Sequence, residues 1–201
     1  MSKKYEITGE TINFRTKTLH RIMAIRDFDD IKMGDIGGWI EKEENLSHDG
    51  NAWVYDNAMV LDDAIVCDNA QVYDDAQVYG KAIVCCDALV CGNARVYGYT
   101  WVCGNALVCG NARVYGHAWV CDDAQVQGDA QVYDKAKVSD KALVYNKARV
   151  YGHALVCDDA KVCGNARVYG YTWACGNALV CGNARVYDAK VCNDDIVHDN
   201  L

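Results

Sequence analysis

Proline is absent from the whole chain of 201 residues, and phenylalanine occurs only twice. A strand that is hydrogen-bonded on both sides has no place for a residue without an N–H, so this absence fits a ladder in which every strand is central. The chain also lacks any run of about 18 apolar residues, so we expect no membrane-spanning helix. Basic residues are in deficit, with 20 Lys and Arg against 28 Asp and Glu.

The charge balance and the N-terminus narrow the function classes. A formal net charge of −8 weighs against general nucleic-acid binding, because neutralisation of phosphates dominates such affinity. The N-terminal Met-Ser-Lys-Lys-Tyr-Glu lacks the apolar segment of a signal peptide, so we expect a cytoplasmic protein. In that compartment the 12 cysteines are expected to be reduced thiols.

A small residue recurs every six positions from Ala52 to Ala184, in 23 units without a break in register. Thr100 and Thr172 are the only departures from Ala at this position, and Val follows two positions later in every unit except at Ala174. Apolar residues two apart have the period of a strand, and the Asp, Asn, Gly and Lys pairs that follow them are turn formers. Each unit therefore predicts a short strand followed by a corner, and a helix is excluded.

The pattern V-x-G-N-A-x, as at residues 90–95, resembles the hexapeptide repeat of left-handed parallel β-helix proteins, in which three units form one triangular coil of 18 residues. The resemblance implies that the small and aliphatic residues point inward and that the intervening residues point outward. We therefore predict an all-β fold, with a left-handed parallel β-helix over residues 51–201. Residues 1–50 do not repeat and are expected to form a small N-terminal β cap, as terminal repeats of solenoids require.

Within the cap, residues 5–7 are apolar enough for a strand, and residues 19–26 for a strand or a helical turn. Trp39, Ile40 and Trp53 are the expected packing residues. The segment G-D-I-G-G-W-I at 34–40 resembles a group of bacterial and phage hexapeptide-repeat proteins without an assigned activity. We therefore expect the protein in the cytoplasm of a bacterium or of a phage-infected cell.

The repeat changes near the C-terminus. Ala189 follows Ala184 after five residues instead of six, and Asp195 then falls where a small inward residue is expected. We therefore predict that the β-helix ends there, with Asp194, Asp195, Asp199 and Asn200 as polar cover for its last coil.

Residues 18 apart should stack about 4.8 Å apart along one face of the coil, and the outward residues then sort into three faces by chemistry. The Leu/Cys face carries Leu89, Leu107, Leu143 and Leu179 beside Cys91, Cys109, Cys163 and Cys181. The Arg/Tyr face carries Arg95, Arg113, Arg149, Arg167 and Arg185 beside Tyr97, Tyr115, Tyr151, Tyr169 and Tyr187. The Trp/Cys face carries Ile65, Ile83, Trp101, Trp119, Leu155 and Trp173 beside Cys67, Cys85, Cys103, Cys121, Cys157 and Cys175.

Two of these faces are candidate binding surfaces. The Arg/Tyr face has the chemistry to receive the carboxylates or phosphates of an acidic protein partner. The alternative is that its tyrosines only stabilise the sheet as a ladder of like side chains. The Trp/Cys face is an apolar strip several coils long, and such strips usually mark interfaces. We expect it to join copies of the chain into a homo-oligomer, a dimer first and a trimer second.

The cysteine columns do not predict a metal site. Tetrahedral zinc needs ligands that converge from several directions, whereas a ladder supplies them in a line. The chain has no C-x-x-C motif, and the adjacent Cys85 and Cys86 at a corner are an isolated exception. We expect no metal and no cofactor, with the cysteines serving as small apolar packing residues.

Enzymes of the hexapeptide family are mostly acyltransferases that work as trimers, with a His as general base near a subunit boundary. His117 and His153 are the catalytic candidates by position, since both lie at corners of the same column. The inserted loop and the C-terminal helix that help those enzymes bind their acyl carrier have no counterpart in this sequence. We therefore predict a non-catalytic binding or scaffold protein, with an inhibitor of a host protein as one form of it. The alternative is an atypical trimeric hexapeptide acyltransferase.

Overall fold

The computed structural model describes residues 3–199 as strands and tight corners, with one 3₁₀ turn at Glu43–Asn45. No helix in this described part is long and apolar enough to cross a membrane. The strands stack in parallel coils and form three sheets, one for each face. The fold is therefore the all-β parallel β-helix that the six-residue repeat predicts.

Each sheet takes one short strand from each coil. The sheet of the Arg/Tyr face contains Tyr5–Phe14 (β1), Lys17–Ala24 (β2), Ile36–Ile40 (β3), Met59–Val60, Gln77–Gly80, Arg95–Gly98, Arg113–Val114, Gln131–Val132, Arg149–Val150, Arg167–Tyr169 and Arg185–Tyr187. The sheet of the Leu/Cys face contains Trp53–Val54, Gln71–Val72, Leu89–Val90, Leu107–Val108, Gln125–Val126, Leu143–Val144, Lys161–Val162, Leu179–Val180 and Ile196–Val197. The sheet of the Trp/Cys face contains Ile65–Val66, Ile83–Val84, Trp101–Val102, Trp119–Val120, Lys137–Val138, Leu155–Val156, Trp173–Ala174 and Lys190–Val191.

Residues 18 apart pair directly throughout the regular coils, as predicted. Arg95 pairs with Arg113, for example, and Trp101 with Trp119. The Ala and Val positions of the repeat line the interior of the triangle, and the side chains from Ala52 to Ala184 at these positions are at most 1% exposed. Since burying one Val side chain contributes roughly 1.5 kcal/mol or more, this repeated pair of residues supplies the core of the whole coil.

The corners explain why Gly, Asp and Asn follow each strand. The first residue of each corner has a positive φ, such as 69° at Gly92 and 57° at Asp134. Gly adopts this conformation without a steric penalty, and Asp and Asn tolerate it better than other residues. The Asp side chains also tie coils together, because Asp74 accepts a hydrogen bond from the N–H of Gly92 at 2.9 Å and Asp158 accepts one from Gly176 at 2.9 Å.

The first coil is longer than the others. Ile40 pairs with Val60 and Leu46 with Val66, so residues in this coil stack 20 apart rather than 18. The two extra residues lie in the corner between Leu46 and Trp53, because Trp53 already pairs 18 residues ahead, with Gln71. In the 3₁₀ turn before that corner, the buried amide of Asn45 donates to the carbonyl of Ala64 at 2.8 Å. Leu46 therefore occupies an aliphatic position, although counting back from Ala52 in steps of six would place it at a small one.

The N-terminal segment adds an antiparallel hairpin, β1 and β2, to the end of the Arg/Tyr sheet through β3. The segment 19–26, predicted as a strand or a helical turn, is a strand as far as Ala24, where β2 ends. Trp39, Ile40 and Trp53 are all buried, as expected of cap residues. The pairing of β3 with Met59–Val60 crosses residue 50, and the division into two parts at that residue stays a prediction.

The prediction that the β-helix ends at Asp195 is wrong. Lys190–Val191 pairs with Trp173–Ala174, and Ile196–Val197 pairs with Leu179–Val180, so the ladder continues through the one-residue deletion. The deletion shortens the corner after the Arg/Tyr strand, and both Ala189 and Asp195 are exposed. Asp194 and Asp199 also lie at this end, and Asn200 lies outside the described residues.

The expectation that all cysteines are reduced is also wrong. Cys175 and Cys192 form a disulfide between the last two rungs of the Trp/Cys face. The deletion shifts the spacing to 17 residues, yet Cys192 still continues the cysteine column because the strand before it pairs with Trp173–Ala174.

Replacing the buried Val108 by Asp is expected to unfold the middle of the coil, because an unpaired buried charge costs several kcal/mol. Gln125→Asp, at an exposed position of the same sheet, is the matched control and should fold. Circular dichroism and urea unfolding compare the two variants. A Val108→Asp protein as stable as the control would show that this position faces outward.

Lys4 is fully buried, with its Nζ donating to the carbonyl of Gly50 at 3.2 Å and lying 5.1 Å from the ring of Phe28. Burial, and to a smaller extent the charge of Arg26, lowers the pKa of Lys4 from 10.5 to about 8. The charge of Lys4 therefore costs stability below pH 8, and this cost is relieved as the pH rises from 8 to 10.5.

Lys4→Met is accordingly expected to raise the free energy of unfolding at pH 7 by roughly 1 kcal/mol or more, since it removes a buried cation and keeps an apolar stem. Its advantage over the wild type should shrink between pH 8 and pH 10. Urea unfolding of both proteins across this pH range gives the difference between their free energies of unfolding. Taking this difference removes the pH dependence that comes from the titratable groups that both proteins share. A difference that does not change with pH would contradict the lowered pKa.

Candidate functional site

The Arg/Tyr face brings the predicted arginines into one line. Arg95 and Arg113 occupy adjacent rungs, and Arg149, Arg167 and Arg185 occupy three more, with Gln131 between the two groups. All are exposed except Arg167, which is half-buried.

The tyrosines beside them form a continuous stack. From Tyr79 to Tyr187, neighbouring ring centroids lie 4.8 to 5.0 Å apart, and the rings are nearly parallel until the last pair. Burial raises the pKa of Tyr97, Tyr115 and Tyr133 above the ordinary value. The stack therefore presents a row of neutral phenols next to the row of guanidinium groups.

None of the five arginines forms an ion pair within residues 3–199. Each ion pair in this range but one involves a residue of the cap, such as Lys17 or Lys42. The remaining ion pair joins His198 to Asp199. Among the described residues, the five guanidinium groups are therefore left without a carboxylate at ion-pair distance.

The hairpin closes one end of the strip, a feature that the sequence does not predict. The turn between β1 and β2 places Arg15 over the ring of Tyr79, with its Cζ 4.6 Å from the centroid. Phe14 also packs near Tyr79, in a cluster with Leu19, Trp39 and Leu61. The Arg/Tyr strip is thus a flat surface that is bounded at its N-terminal end by the β1–β2 hairpin, which forms a wall there.

The Trp/Cys face presents the predicted aromatic strip. Trp101 and Trp119 stack at 5.5 Å and are 40% and 46% exposed, and Trp173 is 53% exposed. Ile65 is also exposed, whereas Ile83 and Leu155 are half-buried. Lys137 interrupts the strip between Trp119 and Leu155.

The two catalytic candidates, His117 and His153, lie on the surface and stack on tyrosines. His117 stacks on Tyr99 at 5.0 Å, and His153 stacks on Tyr171 at 4.9 Å. Both side chains are exposed at corners, and within the described residues neither ring lies within ion-pair distance of a carboxylate. A general base is usually oriented by a neighbouring group, and no carboxylate in residues 3–199 orients either of these two rings.

A different histidine lies beside a carboxylate, but both of its ring nitrogens are used. His48 lines a concavity of about 450 Å³ between the cap and Cys67. Its Nδ1 accepts the N–H of Lys4 at 3.3 Å, and its Nε2 lies 2.7 Å from Oε1 of Glu43. The ring also stacks on Tyr5 at 4.3 Å. His48 therefore links Lys4 and Tyr5 to Glu43. The sequence does not identify this role, because the six-residue repeat is interrupted at His48.

The thiols of the cysteine columns are mostly in their protonated form at neutral pH. Burial raises the pKa of Cys91 to about 11, and burial with the neighbouring Asp122 raises that of Cys121 to about 12. Since the thiolate is the nucleophile, these ladder cysteines are poor candidates for nucleophilic catalysis.

Comparison with known proteins agrees with the repeat. Five segments match the family described as YdcK Beta solenoid repeat, at residues 52–68, 70–85, 88–104, 106–122 and 160–176. A curated relative is the protein named "Uncharacterized acetyltransferase YdcK" of Escherichia coli (strain K12), which is 36% identical over 73 residues. That match spans 32% of this chain and 22% of the relative, so the chain covers about a fifth of the relative's length.

Proposed function

Because the chain is a hexapeptide-repeat β-helix protein, we propose that it is a non-catalytic binding protein whose rigid Arg/Tyr face receives an acidic segment of a partner protein. The observation that carries this proposal is the line of five outward arginines without an ion pair in residues 3–199. An inhibitor of a host protein is one form that such a binding protein takes.

The chemistry of the strip suits carboxylates. A guanidinium group binds a carboxylate through two parallel hydrogen bonds, and the phenols beside it add neutral donors. The face is built from backbone ladders, so little backbone entropy is lost when a partner docks, and the entropic cost is limited to the arginine side chains. The contact lies at the surface, where salt screens charges over about 10 Å at 0.1 M, so binding should weaken as salt increases.

Changing Arg149, Arg167 and Arg185 together to Gln is expected to abolish capture of the partner from native host lysate, while thermal stability stays nearly unchanged. The matched control changes Lys141, Lys161 and Lys190 to Gln, which removes the same charge away from this face. Affinity capture with quantitative mass spectrometry compares the wild type with both variants. If the wild type and both variants capture the same proteins, the arginine column has a structural role and the binding proposal is wrong.

We also propose that the Trp/Cys face joins two copies of the chain. A tryptophan-sized side chain contributes roughly 2 to 3 kcal/mol when it is fully buried, and three partly exposed tryptophans lie along this face. A twofold axis brings the strip onto its own copy, which is the commonest closed arrangement. Lys137, near the middle of the strip, would then extend its charged end into solvent.

Trp101→Glu combined with Trp119→Glu is expected to convert the oligomer into a monomer, because four like charges would meet in the dimer contact. Leu89→Glu with Leu107→Glu on the Leu/Cys face is the control and should leave the oligomer intact. Light scattering at tens of micromolar measures the mass of each protein. A monomeric wild type would refute the proposal. A Trp101→Glu/Trp119→Glu variant that stays oligomeric would show that the interface lies on another surface.

The second candidate function is acyl transfer, which the name of the E. coli relative favours. His117 and His153 are the residues that would act as bases, and their stacking on exposed tyrosines without a carboxylate argues against it. Transfer of an acetyl group that is lost in the His117→Ala/His153→Ala variant would support the enzyme and overturn the binding proposal.

A further inference from the structure

Sulfur and oxygen ligands converge at one corner of the coil, at the N-terminal end of the Trp/Cys face. The Sγ atoms of Cys85 and Cys86 are 4.0 Å apart, and a carboxylate oxygen of Asp68 lies within 4.8 Å of both. The Sγ of Cys67, one rung below Cys85, lies 3.9 Å from Oδ2 of Asp68.

Cys86 is what makes this arrangement converge. The other corner residues with positive φ between residues 52 and 193 are Gly, Asp or Asn, whereas Cys86 has a φ of 61°. Gly104 occupies the same corner position one coil later. At this corner the thiol of Cys86 leaves the line of the cysteine column, so the ligands no longer lie in a row.

We propose that Asp68, Cys85 and Cys86 form a site for a thiophilic divalent cation of the Zn²⁺ type, with three protein ligands and the fourth tetrahedral position open to solvent. Four ligands at about 2.3 Å from a tetrahedral zinc lie about 3.8 Å apart, close to the 4.0 Å between the two adjacent thiols. Thiolate-rich sets select such cations over Mg²⁺ and Ca²⁺, which prefer oxygen ligands.

The site is reachable from solvent and already partly oriented. Cys86 and Asp68 are exposed, and Oδ2 of Asp68 accepts the N–H of Cys86 at 3.0 Å, which fixes the carboxylate. Each thiol that binds the cation releases its proton to solvent, so no oxidant or reductant takes part. A second cluster, Asp140 with Cys157 and Asp158, holds one thiol and fits this chemistry poorly.

Titration of the full chain with Co²⁺ in a phosphine reductant tests the site, because a thiolate bound to Co²⁺ absorbs in the near ultraviolet. We expect one Co²⁺ per chain, displaced by Zn²⁺. Cys86→Gly keeps the corner conformation and should weaken binding by about 100-fold or more, beyond the cost of losing an outer-shell partner. Its melting temperature should equal or exceed that of the wild type.

Asp68→Asn is the second test variant, because Asn occupies the equivalent positive-φ corner at Asn193, and it should weaken Co²⁺ binding as well. Cys109→Ser, on the Leu/Cys face, and Cys157→Ser are controls that should bind as the wild type does. The proposal is overturned if the wild type gives no charge-transfer band. It is equally overturned if Cys86→Gly and Asp68→Asn bind with unchanged affinity, or if Cys157→Ser loses the band.

Discussion

The hydrogen-bond ladder between coils is the constraint on which the rest of this structure depends. The N–H of Arg95 donates to the carbonyl of Ala112 at 2.9 Å, and the same pattern repeats from coil to coil on all three faces. Because each rung fixes every residue over the one 18 positions earlier, the chemistry of one position accumulates into a column. The inward columns become the core, and the outward columns become faces of uniform chemistry.

On the Arg/Tyr face, stacking of identical side chains stabilises the sheet in one column and destabilises it in the other. Stacked tyrosines stabilise the sheet, whereas two arginines about one rung apart repel by about 1 kcal/mol in water. Gln77 and Gln131 show that the face tolerates neutral side chains at the arginine position. The arginines therefore carry a cost that the fold does not require, which is the physical argument for the binding role proposed for them.

The repeat predicts the coil, its inward residues and the membership of each face, because all of these follow from a period of 18. Features that depend on a break in the period could not be predicted in this way. Two extra residues between Leu46 and Trp53 place Leu46 at an aliphatic position. The one-residue deletion after Asp188 predicts an end of the β-helix, although the hydrogen-bond ladder resumes at Lys190.

The contacts of the cap could not be predicted from the sequence either. Arg15 covers Tyr79 because the hairpin folds back over the first coils, and no periodic signal links these two residues. His48 accepts the N–H of Lys4, a contact that the repeat does not predict either because Lys4 lies outside it. The columns of the Arg/Tyr face were predicted residue by residue, whereas the wall at the end of that face was not.

The distance between spin labels introduced as non-natural residues at positions 95 and 167 tests the register most directly. These positions are 72 residues apart on the Arg/Tyr face, so four rungs of about 4.8 Å predict a narrow distribution near 19 Å. A broad distribution, or one centred beyond about 30 Å, would contradict the stacking of the coils and with it the line of arginines that the proposed binding face requires.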